Sequence, residues 1–284
     1  MKADKPISTS ADDSLLPPPL AHKWQALLAD LQRLGSAIVA YSGGVDSGLL
    51  AFAAHHALGS RMLAVTLRSE LESASQIENA AVFARQIGFP HLILPLDTLN
   101  EPQVRNNTPE RCYYCKKTML NHLHRLAKEK GYAAVIEGQN KDDENEHRPG
   151  RRAVQESATR SPLAENGLHK SEIRQIARFF GLSLWDLPAT PCLATRFPYG
   201  ETLEPADLQR VAQAEDFLRQ MGFAVVRVRS QQRSARIEIP PEEMPALLAQ
   251  RAEVAAHLQK LGFVHISLDL HGYQQGSYDQ RSAT

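Results

Sequence analysis

The 284-residue sequence contains no apolar run long enough to span a bilayer, which excludes a helical membrane protein. It has only three cysteines, too few for a disulfide framework in a chain of this length. Neither charge sign is in excess: 32 Lys and Arg balance 32 Asp and Glu. No global positive field therefore favours nucleic acid as a partner. The opening stretch, "MKADKPISTSADDSLLPPPL", lacks the apolar core of a secretory signal and reads as a flexible tail over residues 1–20. There is no internal repeat, and no low-complexity segment beyond that tail. These absences predict a soluble, cytoplasmic protein. What is present is ordinary: 43% hydrophobic and 23% charged residues, enough for one large domain or two modest ones.

Four short apolar stretches, 36–41, 61–69, 91–96 and 132–138, read as strands. Helical patterns lie between them at 46–58, 72–88 and 115–130. That alternation predicts an α/β fold, a parallel sheet with helices on both faces, extending over residues 21–200. "DDENEHRPG" (142–150) reads as a surface loop, 170–180 as a helix, and "LWDLPATPCLATRFPYGETL" as a proline-bearing linker or a loop shaped over a site. Beyond Glu204 the pattern changes to helix (205–221), strands "FAVVRVRS" and "SARIEIP", helix (241–260) and strand "FVHISLDL". This predicts a smaller α+β domain over 201–272, with a tail at 273–284, and Gly222 and Gly262 at helix ends.

One segment carries chemistry on its own. "VAYSGGVDSGLL" (39–50) runs from an apolar strand through two glycines into a helix pattern. Glycine permits backbone angles and close approaches that side chains hinder, and Asp46 and Ser47 suit a first helical turn. Strand, glycine turn and helix start together make a nest of N–H groups able to hold an anion. The segment lacks the Gly-Lys-Ser/Thr ending of a Walker A loop and the three glycines of a dinucleotide fold. Ser42-Gly43-Gly44-Val45-Asp46-Ser47 instead resembles the PP-loop of ATP pyrophosphatases, which split ATP between its α- and β-phosphates. The resemblance implies that the amides of Gly43, Gly44 and their neighbours hold pyrophosphate, that Ser42 and Ser47 add donors, and that Asp46 helps hold Mg²⁺.

Cys112 and Cys115 form a C-x-x-C in "ERCYYCKK", and Cys192 stands alone in "TPCLATRF". The pair reads as a redox dithiol; with Cys192 the three thiols read as a zinc site whose fourth ligand is His122 or His124, or as the three ligands of an iron–sulfur cluster. Spacing does not separate these readings.

Taken in order, the loop at 42–47, "RCYYCKK" (111–117), "RSPLAENGLHKSEIRQIA" (160–177), "WDLPATPCLATRFPYG" (185–200) and "RVRSQQRSARIE" (227–238) resemble the LarE family of ATP-dependent sulfur transferases. Family members convert pyridinium-3,5-biscarboxylic acid mononucleotide to thiocarboxylates for the nickel-pincer nucleotide of lactate racemase. The resemblance implies a PP-loop domain, a smaller C-terminal domain, homo-oligomers, and a small-molecule nucleotide substrate. One branch of the family sacrifices the cysteine matched by Cys192; the other holds a 4Fe–4S cluster on three cysteines and needs a separate sulfide donor. Cys112, Cys115 and Cys192, with no other cysteine, favour the cluster branch. By the same resemblance Arg227 and Arg229 bind the substrate phosphate, and Arg196 and Glu215 are further candidates for the substrate site.

The sequence departs from the family after the fourth strand, where Gly138-Gln139-Asn140 stands in place of the usual Gly-Thr-Asn. Gly138 and Asn140 are still expected on the ATP. Thr195 replaces a common serine. Two rivals are weighed: a tRNA thiolase, which calls for a basic surface, and a non-enzymatic nucleotide binder stapled by zinc.

Overall fold

The computed structural model describes residues 13–145, 149–188 and 190–274. The chain forms two compact units, the first from segments up to Ser69, Gln76–Leu96 and Cys112–Thr190, the second from Glu70–Ser75, Asp97–Arg111 and Pro191 onward.

In chain order the first unit contains helix α1 (Pro18–Leu34), strand β1 (Ala37–Ala40), α2 (Val45–Leu58), β2 (Met62–Arg68), most of α3 (Ala74–Ile87) and β3 (His91–Pro95). After a short helix α4 (Pro102–Arg105), which belongs to the second unit, it continues with α5 (Arg111–Lys130), β4 (Ala134–Ile136), α6 (Pro149–Gln155), α7 (Pro162–Glu165) and α8 (Lys170–Phe179). The four strands pair in parallel in the order β3-β2-β1-β4. All four predicted strands form, and the sheet is covered on both faces.

Alternation along the strands shows why. Ala37 and Val39 of β1, Met62 and Ala64 of β2, and Ile136 of β4 enter one core with α1, α2 and α8. Ile38, Val65 and Val135 point the other way, into a second core with Leu123 and Ala127 of α5. Strands buried on both faces read as continuous apolar runs, as these do. The larger core is anchored by Trp24, whose ring lies 6.1 Å from Phe52 and 5.1 Å from Phe180. Helical structure starts ahead of the predicted domain edge at residue 21. Leu16 and Leu20 are buried, and Pro18 and Pro19, which read as tail, occupy the first turn of α1 after Pro17 as N-cap, where a missing N–H costs nothing. Residues 1–12 and 275–284 of the two predicted tails lie outside the described residues.

The second unit holds α9 (Pro205–Gln220), β5 (Arg227–Gln231), β6 (Ser234–Glu238), α10 (Met244–Ala249), α11 (Arg251–Lys260) and β7 (His265–Leu268). β5 and β6 form an antiparallel hairpin turning at Gln232–Arg233, and β7 joins β6 in parallel. The predicted α-β-β-α-β order holds, except that the helix expected over 241–260 is divided. At Gln250 the N–H turns back to Leu247 O, a tighter turn that ends α10 before α11 begins. Gly222 and Gly262 take positive φ at the ends of α9 and α11. The unit also takes in residues before 201, so the segment bearing Cys192 packs with the smaller unit.

Candidate functional site

β1 delivers the chain into the loop at 41–44, and α2 begins at Val45 with Gly44 as its N-cap. Gly43 adopts φ +79°, and a Cβ there would lie 2.8 Å from the Ala80 Cβ, so only glycine fits between the loop and α3. Ser47 Oγ accepts from the Ser42 N–H at 3.2 Å and sits 3.0 Å from Ser42 Oγ. The two serines thus close the loop on itself. The backbone donors of the first turn of α2 have no intrahelical partner there, which makes the turn an anion seat.

The end of β4 packs onto the same turn. A Cβ on Gly138 would come within 2.9 Å of Ser47 N and 3.0 Å of Ser47 Cα. Beyond it, Asn140 N donates to Asp143 Oδ2 at 3.1 Å, and Asn140 Oδ1 accepts from Asp142 N at 2.9 Å. Asp142 then grips the start of α8. Its Oδ2 accepts from Lys170 N at 2.8 Å and its Oδ1 from His169 Nδ1 at 2.6 Å. These bonds, the His169 one first, hold the Asp142 carboxyl below the ordinary carboxylate range.

The result is that Lys170 Nζ reaches Asp46 Oδ2 at 2.5 Å. Burial pushes the Asp46 carboxyl up, against the lowering influence of Lys170, while Asp143 raises it further and the Asn140 amide lowers it slightly. Asp46 Oδ1 is buried and accepts no hydrogen bond within bonding geometry. A half-buried carboxylate with one oxygen buried and unmet, and a second acid nearby, is a poor resting state and a good seat for a hard cation. That fits Mg²⁺ beside a phosphate, with Lys170 on the opposite side of the carboxylate. The predicted group Ser42, Gly43, Gly44, Val45, Asp46, Ser47, Gly138 and Asn140 is therefore brought together in the first unit.

Cys112 and Cys115 lie three apart in the first turns of α5, Cys112 exposed and Cys115 half-buried. None of the three cysteines is in a disulfide. His124 Nε2 is 2.8 Å from Thr159 Oγ1, and His122 sets its ring nitrogens against Arg125. Among the described residues, no group of three or more His, Cys, Asp or Glu side chains is gathered for a metal ion.

Cys192 belongs to the second unit and precedes a single turn of 3₁₀ helix, Leu193–Arg196. Arg196 and Glu215 are each 1% exposed and pair through both ends of their forks, Nε to Oε1 at 2.8 Å and Nη2 to Oε2 at 2.9 Å. Burial alone would raise the Glu215 carboxyl; Arg196, then Arg219 and Arg227, outweigh it and hold it low. Arg229 donates from Nε to Glu238 Oε2 at 3.0 Å and from Nη1 to Thr195 O at 2.5 Å. Arg227 is buried beside these groups, and desolvation with the like charge of Arg196 pushes its guanidinium below its ordinary value. An arginine crowded by arginines is relieved by an anion.

Comparison with known proteins decides what this arrangement is. The NAD synthase family model matches residues 27–117, the stretch that carries the loop. An uncharacterised Synechocystis protein is 41% identical over 263 residues, 92% of this chain and 98% of that protein. The pyridinium-3,5-bisthiocarboxylic acid mononucleotide synthase of Lactiplantibacillus plantarum is 38% identical over 258 residues, 90% of this chain and 94% of that enzyme. The chain belongs to the LarE family. Wolbachia tRNA-specific 2-thiouridylases match more distantly, at 28% over 190 residues and about half of each chain.

Membership makes the chain a PP-loop enzyme, an ATP-using sulfurtransferase. For this LarE-family chain the loop itself was legible in sequence; the lysine that pairs with Asp46 and the acid that holds that lysine's backbone were not. Lys170 and Asp142 lie far from the loop in sequence and reach it only through α8 and the turn after β4. The available signal was the helix start "LHKSEIRQIA", a lysine placed where a helix N-terminus faces an anion site.

Proposed function

We propose that the chain adenylates a carboxylate of pyridinium-3,5-biscarboxylic acid mononucleotide and converts it to a thiocarboxylate. The observation that carries this reading is the half-buried Asp46 carboxylate at the loop, its buried Oδ1 unmet and its Oδ2 paired with Lys170. In this reading the amides at 43–47 hold the β- and γ-phosphates, Asp46 holds Mg²⁺, and Lys170 turns from Asp46 toward the departing pyrophosphate. The substrate carboxylate attacks the α-phosphorus in line, the bond to the β-phosphate oxygen breaks, and pyrophosphate leaves with its charge matched. A carboxylate has no usable leaving group, and the acyl-adenylate has AMP. A sulfur nucleophile then adds to the carbonyl carbon, AMP departs, and a thiocarboxylate remains.

Arg227 is assigned to the substrate phosphate, because burial and the like charge of Arg196 press on its guanidinium and a bound anion relieves both. Arg229, Arg196 and Glu215 stand beside it with their forks on protein partners. Cys112, Cys115 and Cys192 suit a 4Fe–4S cluster in donor chemistry: three thiols outside any disulfide. Such a cluster, when bound by three thiolates, keeps one iron open for a non-protein sulfide. Cys192 lies nearest in sequence to the substrate arginine group and is assigned the place of sulfur delivery. Assembly into a homo-oligomer is part of the same proposal.

The test is anaerobic purification with iron and labile-sulfide analysis, followed by turnover and the intact mass of the chain. The cluster reading expects a brown protein with about four irons per chain and an unchanged chain mass. A colourless, iron-free protein that loses the mass of one H₂S at Cys192 would replace it with sacrifice of that cysteine, leaving sulfur transfer in place.

A further inference from the structure

The segment around Cys192 lies in no strand, yet much of its backbone is hydrogen-bonded. Leu193 N donates to Leu71 O at 2.8 Å. Asn107 Nδ2 donates to Pro198 O at 2.8 Å and Phe197 O at 3.2 Å. Arg229 Nη1 donates to Thr195 O. The residue itself is held most closely: Arg196 Nη1 donates to Pro191 O at 2.9 Å and to Cys192 O at 3.2 Å, and Thr195 Oγ1 donates to Cys192 O at 2.8 Å.

Arg196 thus spends one edge of its fork on Glu215, while its Nη1 donates to the peptides either side of Cys192 and to Thr195 Oγ1. A fully buried arginine with a bidentate acid partner loses little further freedom in making those bonds. Burying this charge pair is costly, and such pairs are weak stabilisers compared with apolar packing. Its place beside a single half-buried thiol calls for a local reason. Glu215 fixes the guanidinium, the guanidinium fixes the carbonyls of residues 191 and 192, and these fix the direction in which the Cys192 Sγ leaves the backbone.

We propose that Arg196, anchored by Glu215, is a positioning residue for Cys192 and makes no contact with substrate. This rests on the reading of Cys192 as the place of sulfur delivery, and it replaces a substrate-binding role for the pair with a mounting role. A thiol that must meet one carbonyl carbon, or one iron, gains from a backbone held to a fraction of an ångström. Mounting by side-chain donors achieves this in a loop that carries no ladder hydrogen bonds.

The test compares the full-length protein with Arg196→Ala, Arg196→Lys and, as a control for lost stability alone, Leu258→Ala in the same unit's core. Iodoacetamide labelling of Cys192 is followed by peptide mass spectrometry, which separates it from Cys112 and Cys115. Pyrophosphate release and thiocarboxylate yield are measured beside it. The expected result is Cys192 labelling at least about fivefold faster in Arg196→Ala and intermediate in Arg196→Lys, with Leu258→Ala within about twofold of the parent. Thiocarboxylate formed per pyrophosphate released should fall at least about tenfold in Arg196→Ala. Labelling within about twofold of the parent in a folded Arg196→Ala, or no acceleration at all in Arg196→Lys, overturns the proposal, and so does an equal acceleration in Leu258→Ala. If Arg196→Ala does not fold, Arg196→Lys carries the comparison. A parent that forms no thiocarboxylate at all would refute the sulfur-transfer reading, while the labelling comparison would still decide the mounting role.

Discussion

Replacing Asp46 by asparagine separates what this residue does for the reaction from what it costs the fold. Its carboxyl is pushed up mainly by burial. The sign follows: a raised carboxyl favours the folded state while protonated, an advantage present below the unfolded value and lost as pH rises through the folded one. At neutral pH the ligand-free protein therefore carries a charge it would be more stable without. Against this, the substituted amide would lose the ion pair to Lys170, whose side chain is 37% exposed, and such pairs are worth about 0–1 kcal/mol. The two effects nearly cancel, so Asp46→Asn should melt within about 1 kcal/mol of the parent, roughly 2–4 °C, and on the stable side at pH 8. The gain should shrink on acidification, as the parent carboxyl itself becomes neutral. Catalysis should move the other way. Loss of the metal-facing charge should lower Mg²⁺-dependent pyrophosphate release by about 10²–10³-fold. Melting curves across pH, with and without Mg²⁺-ATP, and a pyrophosphate assay test both halves. A folded Asp46→Asn protein releasing pyrophosphate at the parent rate would refute the reasoning, and so would a loss of several degrees at pH 8.

Lys170→Ala should leave the α8 backbone in place, because Asp142 holds it through the main chain. It should still weaken pyrophosphate release by about tenfold or more, checked by steady-state assay beside circular dichroism. Gly138→Ala forces a methyl against the backbone of Ser47 at 2.9 Å. It should cost about 1–3 kcal/mol of stability and raise the Kd for ATP, read by thermal denaturation and calorimetry. Glu215→Gln leaves Arg196 without its counter-charge at 1% exposure and should cost about 3–5 kcal/mol at pH 7, measured by denaturant titration. Because the Glu215 carboxyl is held low, its stabilisation is present above the unfolded value and lost as pH falls through the folded one, so the gap to the parent should close with acid.

Local signals carried the first unit. "SAIVAY" followed by Ser42–Ser47 dictates a strand, a glycine turn and a helix start, and these form as written. What sequence does not display is which charged residues go inside. Arg196, Glu215 and Arg229 read as candidates for the substrate site, with no sign that Arg196 pairs with Glu215 or Arg229 with Glu238; each is buried against a partner elsewhere in the chain, 19 residues away for the first pair and nine for the second. The same holds for Lys170, brought to Asp46 across 124 residues. The break at Gln250 was hidden because the helical period continues through it, while its backbone tightens locally. The membership of Cys192 in the smaller unit was equally hidden, since hydrogen bonds to Leu71 and from Asn107 and two arginines, rather than chain order, hold its segment there.

The central claim is that pyrophosphate release by this chain is tied to sulfur transfer onto a carboxylate. The most direct measurement incubates the anaerobically purified protein with Mg²⁺-ATP and pyridinium-3,5-biscarboxylic acid mononucleotide, and counts AMP, pyrophosphate and thiocarboxylate by mass spectrometry. The account predicts all three in equal amounts, with pyrophosphate dependent on the mononucleotide. ATP cleaved to ADP and phosphate, or pyrophosphate released with the mononucleotide unchanged, would contradict it.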